Sequence, residues 1–155
     1  MVPDTTLRLI STVEASGTVA VTFDAAQVPS PAEQEVVVRM EAAPINPSDL
    51  GTMFAGADTS TVRTGEGAYG PLLRADMSPG ALHAASVRVG QAIPLGNEGA
   101  GVVVAVGASD EAQALLGKTV ALRAGSYTQY RCVEAEFCLV LPEGTAPADA
   151  ASCFV

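Results

Sequence analysis

A chain of 155 residues with 48% hydrophobic and 16% charged residues has the apolar content to bury a core, which excludes an intrinsically disordered class. Its formal net charge is −9, from 8 Lys and Arg against 17 Asp and Glu, and no basic run offsets it, which argues against nucleic acid and anionic membranes as partners. Aromatic residues make up 5% and Trp is absent, so Val, Leu, Ile and Ala must supply the core.

In chain order, "TLRLISTVEA" (6–15) and "GTVAVTFDAA" (17–26) carry apolar residues at alternate positions around Gly17, the pattern of an antiparallel hairpin with one buried face. "PSPAE" (29–33) reads as a loop, and "EVVVRMEAAPI" (35–45) as a strong β-branched strand ended by "NPSD". Residues 51–92 are rich in Gly, Ser, Thr and Ala and show no long periodic element. Such a stretch is either a functional lid or a tolerated surface insertion. Strands follow at "GVVVAVG", "KTVALR", "YTQYRCV" and "FCLVLP". A short helix is expected over 109–117, with Ser109 as N-cap and Gly117 as its stop. Many short strands with few helices predict a mainly β (α+β) body of barrel or sandwich type.

"TAPADAASCFV" (145–155) has the features of a helix start, with Thr145 as cap, Pro147 in the first turn and Asp149 complementing the dipole. It is most apolar at its very end, as if the chain were cut off there. Cys132, Cys138 and Cys153 show neither paired nor C-x-x-C spacing, so neither a disulfide framework nor a zinc knuckle is expected. The N-terminus has no basic n-region and no long apolar stretch, so no signal peptide or membrane span is read and a reducing cytoplasm is the expected compartment.

The stretch "IPLGNEGAGVVVAVG" (93–107) admits three readings. A dinucleotide loop needs G-x-G-x-x-G between a strand and a helix. Gly99 and Gly101 begin that pattern, but Val104 stands at the third position and the following valines favour a strand. A zinc site needs several thiolate, imidazole or carboxylate ligands, and the stretch offers Glu98 alone. The lone His83 reads as a surface residue. What remains is a strand entered and left through tight turns, with Glu98 close to the backbone.

"GNEGAGVVVAVG" resembles the G-H-E-x-x-G-x-x-x-x-x-G signature of the medium-chain dehydrogenase/reductase superfamily, matching at Gly96, Glu98, Gly101 and Gly107. Asn97 stands where zinc alcohol dehydrogenases have a zinc-binding His. "VVVRMEAAPINPSDL" (36–50) is similar to the strand and loop that carry another zinc ligand, a Cys, and Asn46 takes that place. "GSYTQYRCV" resembles the G-x-Y-x-x-Y/F strand of the superfamily, and "LPEGTAPADAAS" the hinge before its cofactor domain. Asn at both ligand positions is the pattern of the zinc-free, quinone oxidoreductase-like branch.

The resemblance implies a GroES-like, partly open β-barrel over residues 1–144, with 145–155 beginning the linking helix toward a Rossmann domain absent from this chain. It implies a zinc-independent reductase using NADP(H) once that second domain is present, with little catalysis by these residues alone. Hydride would pass to a quinone or an α,β-unsaturated carbonyl. An enoyl-thioester reductase of the same superfamily and a stand-alone GroES-like binding or assembly module are the alternatives. A homodimer is implied for the whole protein.

The same resemblance places Asn46 beside nicotinamide and substrate; an Asn before Pro47 otherwise forms a turn. Asp49 either orients Asn46 or a water, or caps a following helical turn. Asn97 could contact substrate, and Glu98 fits a buried, hydrogen-bonded carboxylate supporting the cleft better than an acid catalyst. Several zinc-free relatives carry a Tyr soon after this loop; here residues 50–60 contain none. Tyr69 is the nearest, as a lid contact or a surface turn, while Tyr127 and Tyr130 read as barrel packing.

Overall fold

The computed structural model of the protein describes residues 1–154; Val155, the last residue of the apolar end, lies outside them. In chain order the strands are β1 (Thr5–Glu14), β2 (Thr18–Gln27), β3 (Glu35–Ala42), β4 (Asp58–Gly67), β5 (Gly70–Asp76), β6 (Ala92–Pro94), β7 (Glu98–Val106), β8 (Thr119–Arg123), β9 (Tyr130–Glu134) and β10 (Leu139–Val140). The helices are α1 (Pro47–Phe54), α2 (Pro79–Ala84), α3 (Asp110–Gln113) and α4 (Pro147–Ala150), with 3₁₀ turns at Ser86–Arg88 and Ala135–Phe137. The fold is thus mainly β, as the sequence predicts, with two open five-stranded sheets. The chain divides into two compact units: residues 1–7, 26–45 and from 96 onward, and residues 8–25 and 46–95.

The first unit holds the sheet β10-β8-β7-β3-β9, antiparallel throughout. Val36, Val37 and Val38 on β3 are all buried, so both faces of this strand are covered and the sequence shows a continuous apolar run rather than an alternation. On one face Val36, Val38, Val103, Val120 and Leu122 form a core closed by Ala112, Leu115 and Ala135. Each fully buried Val contributes on the order of 1.5–3 kcal/mol. On the other face Ala100 of β7 and Ala121 of β8 meet Ala151, just past α4, and small side chains there let the helix lie close to the sheet.

The second unit holds the sheet β4-β5-β2-β1-β6. The β1–β2 hairpin turns at Gly17 (φ 84°), as its sequence predicts, and Val13 and Val19 pack with Ala75 and Ala85. Residues 51–92 are more regular than expected, containing α1's end, the β4–β5 hairpin, α2 and the first residue of β6. β4 is solvent-facing along nearly its whole length, so no inside–outside alternation marks it in the sequence. Its β-branched Thr59, Thr61, Val62 and Thr64 were the available signal.

Other differences are local. Ser109 caps α3 as expected, accepting from the Ala112 N–H at 3.2 Å, but the helix ends at Gln113 and the chain continues in turns to Gly117. The N-cap of α4 is Ala146 instead of Thr145, whose N–H is tied back to the Pro142 carbonyl at 3.1 Å. Of "FCLVLP" only Leu139–Val140 pair as a strand, because the preceding residues wind into the 3₁₀ turn.

Candidate functional site

Asn46 ends an extended segment (φ −90°, ψ 154°) and is the N-cap of α1, with Pro47 pre-setting the first helical turn. Asp49, at the third helical position, turns back so that its Oδ2 accepts the Asn46 N–H at 2.8 Å. The Asp49 N–H in turn donates to the Asn46 carbonyl at 2.9 Å. Asp49 is 1% exposed, so this carboxylate fixes the backbone of Asn46 from the buried side.

The far end of α1 is fixed independently. Ser11 Oγ donates to the Met53 carbonyl at 2.7 Å, and Arg88 Nη2 donates to the Thr52 carbonyl at 3.0 Å. These bonds satisfy carbonyls that a helix C-terminus leaves open. Burial holds the Arg88 guanidinium below its usual pKa. Sequence reading missed both residues; Ser11, a polar residue in an apolar-patterned strand, was the signal.

Tyr69 sits in the turn between β4 and β5 and is 51% exposed. Its hydroxyl has no hydrogen-bond partner among the described residues. The structure therefore joins Asn46 to Asp49 and does not join Tyr69 to either. His83 is exposed, on α2.

In the first unit Asn97 and Glu98 are adjacent at the entry to β7. The Asn97 carbonyl accepts the Ala124 N–H at 2.7 Å, holding a residue that is left-handed (φ 60°) without being glycine. Glu98 is fully buried. Its Oε2 accepts the Phe154 N–H at 2.7 Å and its Oε1 accepts from Ser152 Oγ at 3.4 Å, so the carboxylate anchors the segment that follows α4. Tyr127 donates its hydroxyl to the Pro44 carbonyl at 2.8 Å, a bond the packing expectation did not include. Ser126 Oγ is buried without a hydrogen-bond partner.

The glycines of this stretch have a packing explanation. A Cβ on Gly99 would lie 2.8 Å from the Ala42 carbonyl oxygen, and one on Gly101 would strike the Arg39 carbonyl. Both face β3 where its register with β7 shifts, between Met40 and Ala42. Gly96 (φ 96°) lies against the Ser126 and Tyr127 N–H groups.

Residues 32–143 match the family described as the alcohol dehydrogenase GroES-like domain. The chain belongs to this family. The match covers the strand before Asn46, the glycine stretch and the Tyr127 segment, in line with the superfamily resemblance of the sequence, and it makes the chain an oxidoreductase-family domain.

Solved structures share this GroES-like fold. A protein assigned as an NADPH:quinone reductase from Mesorhizobium loti superposes with a TM-score of 0.62 at 21% identity, over 100% of this chain and 42% of its own. One with the same assignment from Bacillus thuringiensis gives 0.61 at 23%, over 97% and 38%. The CurF ER cyclopropanase of curacin A biosynthesis gives 0.61 at 19%, over 99% and 40%. At these identities the likeness establishes the fold, and the GroES-like domain spans about two fifths of each of those structures. No curated protein matches the chain.

The donor set bears on which groups this GroES-like domain could hold. Among the described residues no group of three or more His, Cys, Asp or Glu is placed to hold a metal ion. Gly99 and Gly101 lie within a strand and face backbone, so they form no phosphate cradle. Asn46 in the second unit and Asn97 in the first each carry an amide that is both donor and acceptor. Among the described residues no helix is long and apolar enough to cross a membrane.

Proposed function

We propose that this GroES-like domain is the substrate side of a zinc-independent, NADPH-dependent oxidoreductase that reduces a quinone or an α,β-unsaturated carbonyl. The observation that carries the reading is Asn46, held at the head of α1 by the buried Asp49, with Asn rather than a zinc ligand at both superfamily positions. The naming of two similar structures as NADPH:quinone reductases supports the cofactor and substrate class.

When bound, the nicotinamide supplies hydride to the β-carbon of the enone or to the quinone ring. Negative charge then gathers on the substrate oxygen. Asn46 meets it with the N–H of its amide, which is pre-aimed because Asp49 and Pro47 fix its main chain. Water delivers the proton that completes the reduction, since the exposed Tyr69 is tied to no other candidate residue.

The test is steady-state kinetics of the full-length protein with NADPH and a panel of 1,4-benzoquinone, but-3-en-2-one and a crotonyl thioester. Asn46→Ala is expected to lower kcat/KM on the order of 100-fold, mainly through kcat. An unchanged kcat in a folded Asn46→Ala variant would remove Asn46 from the mechanism. Preference for the thioester would move the assignment to the enoyl-thioester reductases.

A further inference from the structure

The chain has eight Lys and Arg residues, and most have an evident role or lie on the surface. Arg8, Arg39, Arg63 and Arg74 pair with Asp24, Glu41, Asp76 and Glu14. Arg88 bonds the end of α1. Arg123 and Arg131 have no carboxylate or carbonyl partner among the described residues, and both line one cavity of about 410 Å³ in the first unit.

Arg131 occupies a core-side position of β9. It stands opposite the fully buried Val38 and two residues from Val133, which packs on the core. Its Nη1 fits against Gly125, where a Cβ would collide with it. Its Nε is buried and unbonded. Burial also holds its pKa below the usual guanidinium range.

The remaining wall is largely apolar, with Leu122, Val133, Phe137, Leu139 and Phe154. Glu98 holds the Phe154 main chain through its N–H, and the Arg123 guanidinium lies over the Phe154 ring, 5.3 Å from its centroid. Cys138 and Glu136 complete the lining. Two guanidiniums thus face one carboxylate, giving a cationic spot in a protein of net charge −9.

Arg131 is half-buried, its Nε has no hydrogen-bond partner and Glu136 is the one carboxylate in the lining, so an anion entering beside the two guanidiniums would offset the desolvation of Arg131. The volume lies in the range of small-molecule sites. We propose that this cavity binds a small amphipathic anion, a carboxylate or phosphate on an apolar body. The head group would lie on Arg131 and Arg123, and the body along Leu122, Val133 and Phe137. None of the residues assigned to hydride transfer carries this inference, so either can fail without the other.

The test is thermal unfolding of the protein with octanoate, with octanamide of the same length, and with inorganic phosphate, which has no tail. Octanoate at about five times its Kd is expected to raise Tm by roughly 2–4 °C, with octanamide and phosphate giving clearly smaller shifts. Arg131→Met should abolish the octanoate shift and, without ligand, melt at or above the parent temperature. Arg123→Gln, at an exposed position, keeps the fold and should weaken octanoate on the order of tenfold. Absence of an octanoate shift, equal shifts with octanamide, or a shift retained in both variants would overturn the site.

Discussion

Gly99 and Gly101 lack side chains because the main chain of β3 occupies the space a Cβ would need. Gly101→Ala is therefore expected to destabilise the protein by about 1–3 kcal/mol, read from the urea midpoint. Gly51, on an exposed turn of α1 with nothing within 4 Å of an added Cβ, should behave oppositely. Gly51→Ala should add about 0.5–1 kcal/mol through helix propensity. A neutral Gly101→Ala would mean that β3 and β7 do not meet as described. Burial and a hydrogen bond to Glu35 push the Cys132 thiol from its ordinary 9.0 up to about 11, and burial does the same for Cys138. The unfolded chain then loses these protons first, so stability falls as pH rises from about 9 toward about 11. At neutral pH iodoacetamide should label the exposed Cys153 well ahead of both, as peptide mass mapping would show. Glu98 was legible at this scale as a buried, hydrogen-bonded carboxylate, while Asn46 and Asn97 were singled out by the superfamily resemblance. Arg131 was not, because a lone Arg in "YTQYRCV" reads as a solvent position until the strand's inward face is known.

At the scale of elements, α1 depends on its two ends. Asp49→Ala removes the acceptor of the Asn46 N–H and should cost about 1 kcal/mol. Hydrogen exchange at Asn46 should quicken more than exchange in β7; unchanged protection at Asn46 would contradict the capping role. The strands that bury one or both faces, β1, β2, β3 and β7, were readable because burial imposes period 2 or a continuous valine run on the sequence. β4 was not readable, since a strand exposed on both faces has no pattern to show. The lengths of α3 and α4, 4 residues each, escaped for another reason. Their caps and dipole charges mark a start, while packing decides where so short a helix ends.

For the whole molecule, the sequence's scarcity of aromatics and abundance of valine are realised in two open antiparallel sheets. The GroES-like family follows from residues 32–143. The proposed reduction chemistry rests on Asn46 and on Asn standing at the two superfamily zinc-ligand positions. Its most direct test is NADPH oxidation by the full-length protein at 340 nm, with 1,4-benzoquinone as acceptor and EDTA present throughout. Quinone-dependent oxidation unchanged by the chelator is the predicted result. Failure to bind NADPH, or activity that EDTA abolishes and zinc restores, would contradict it.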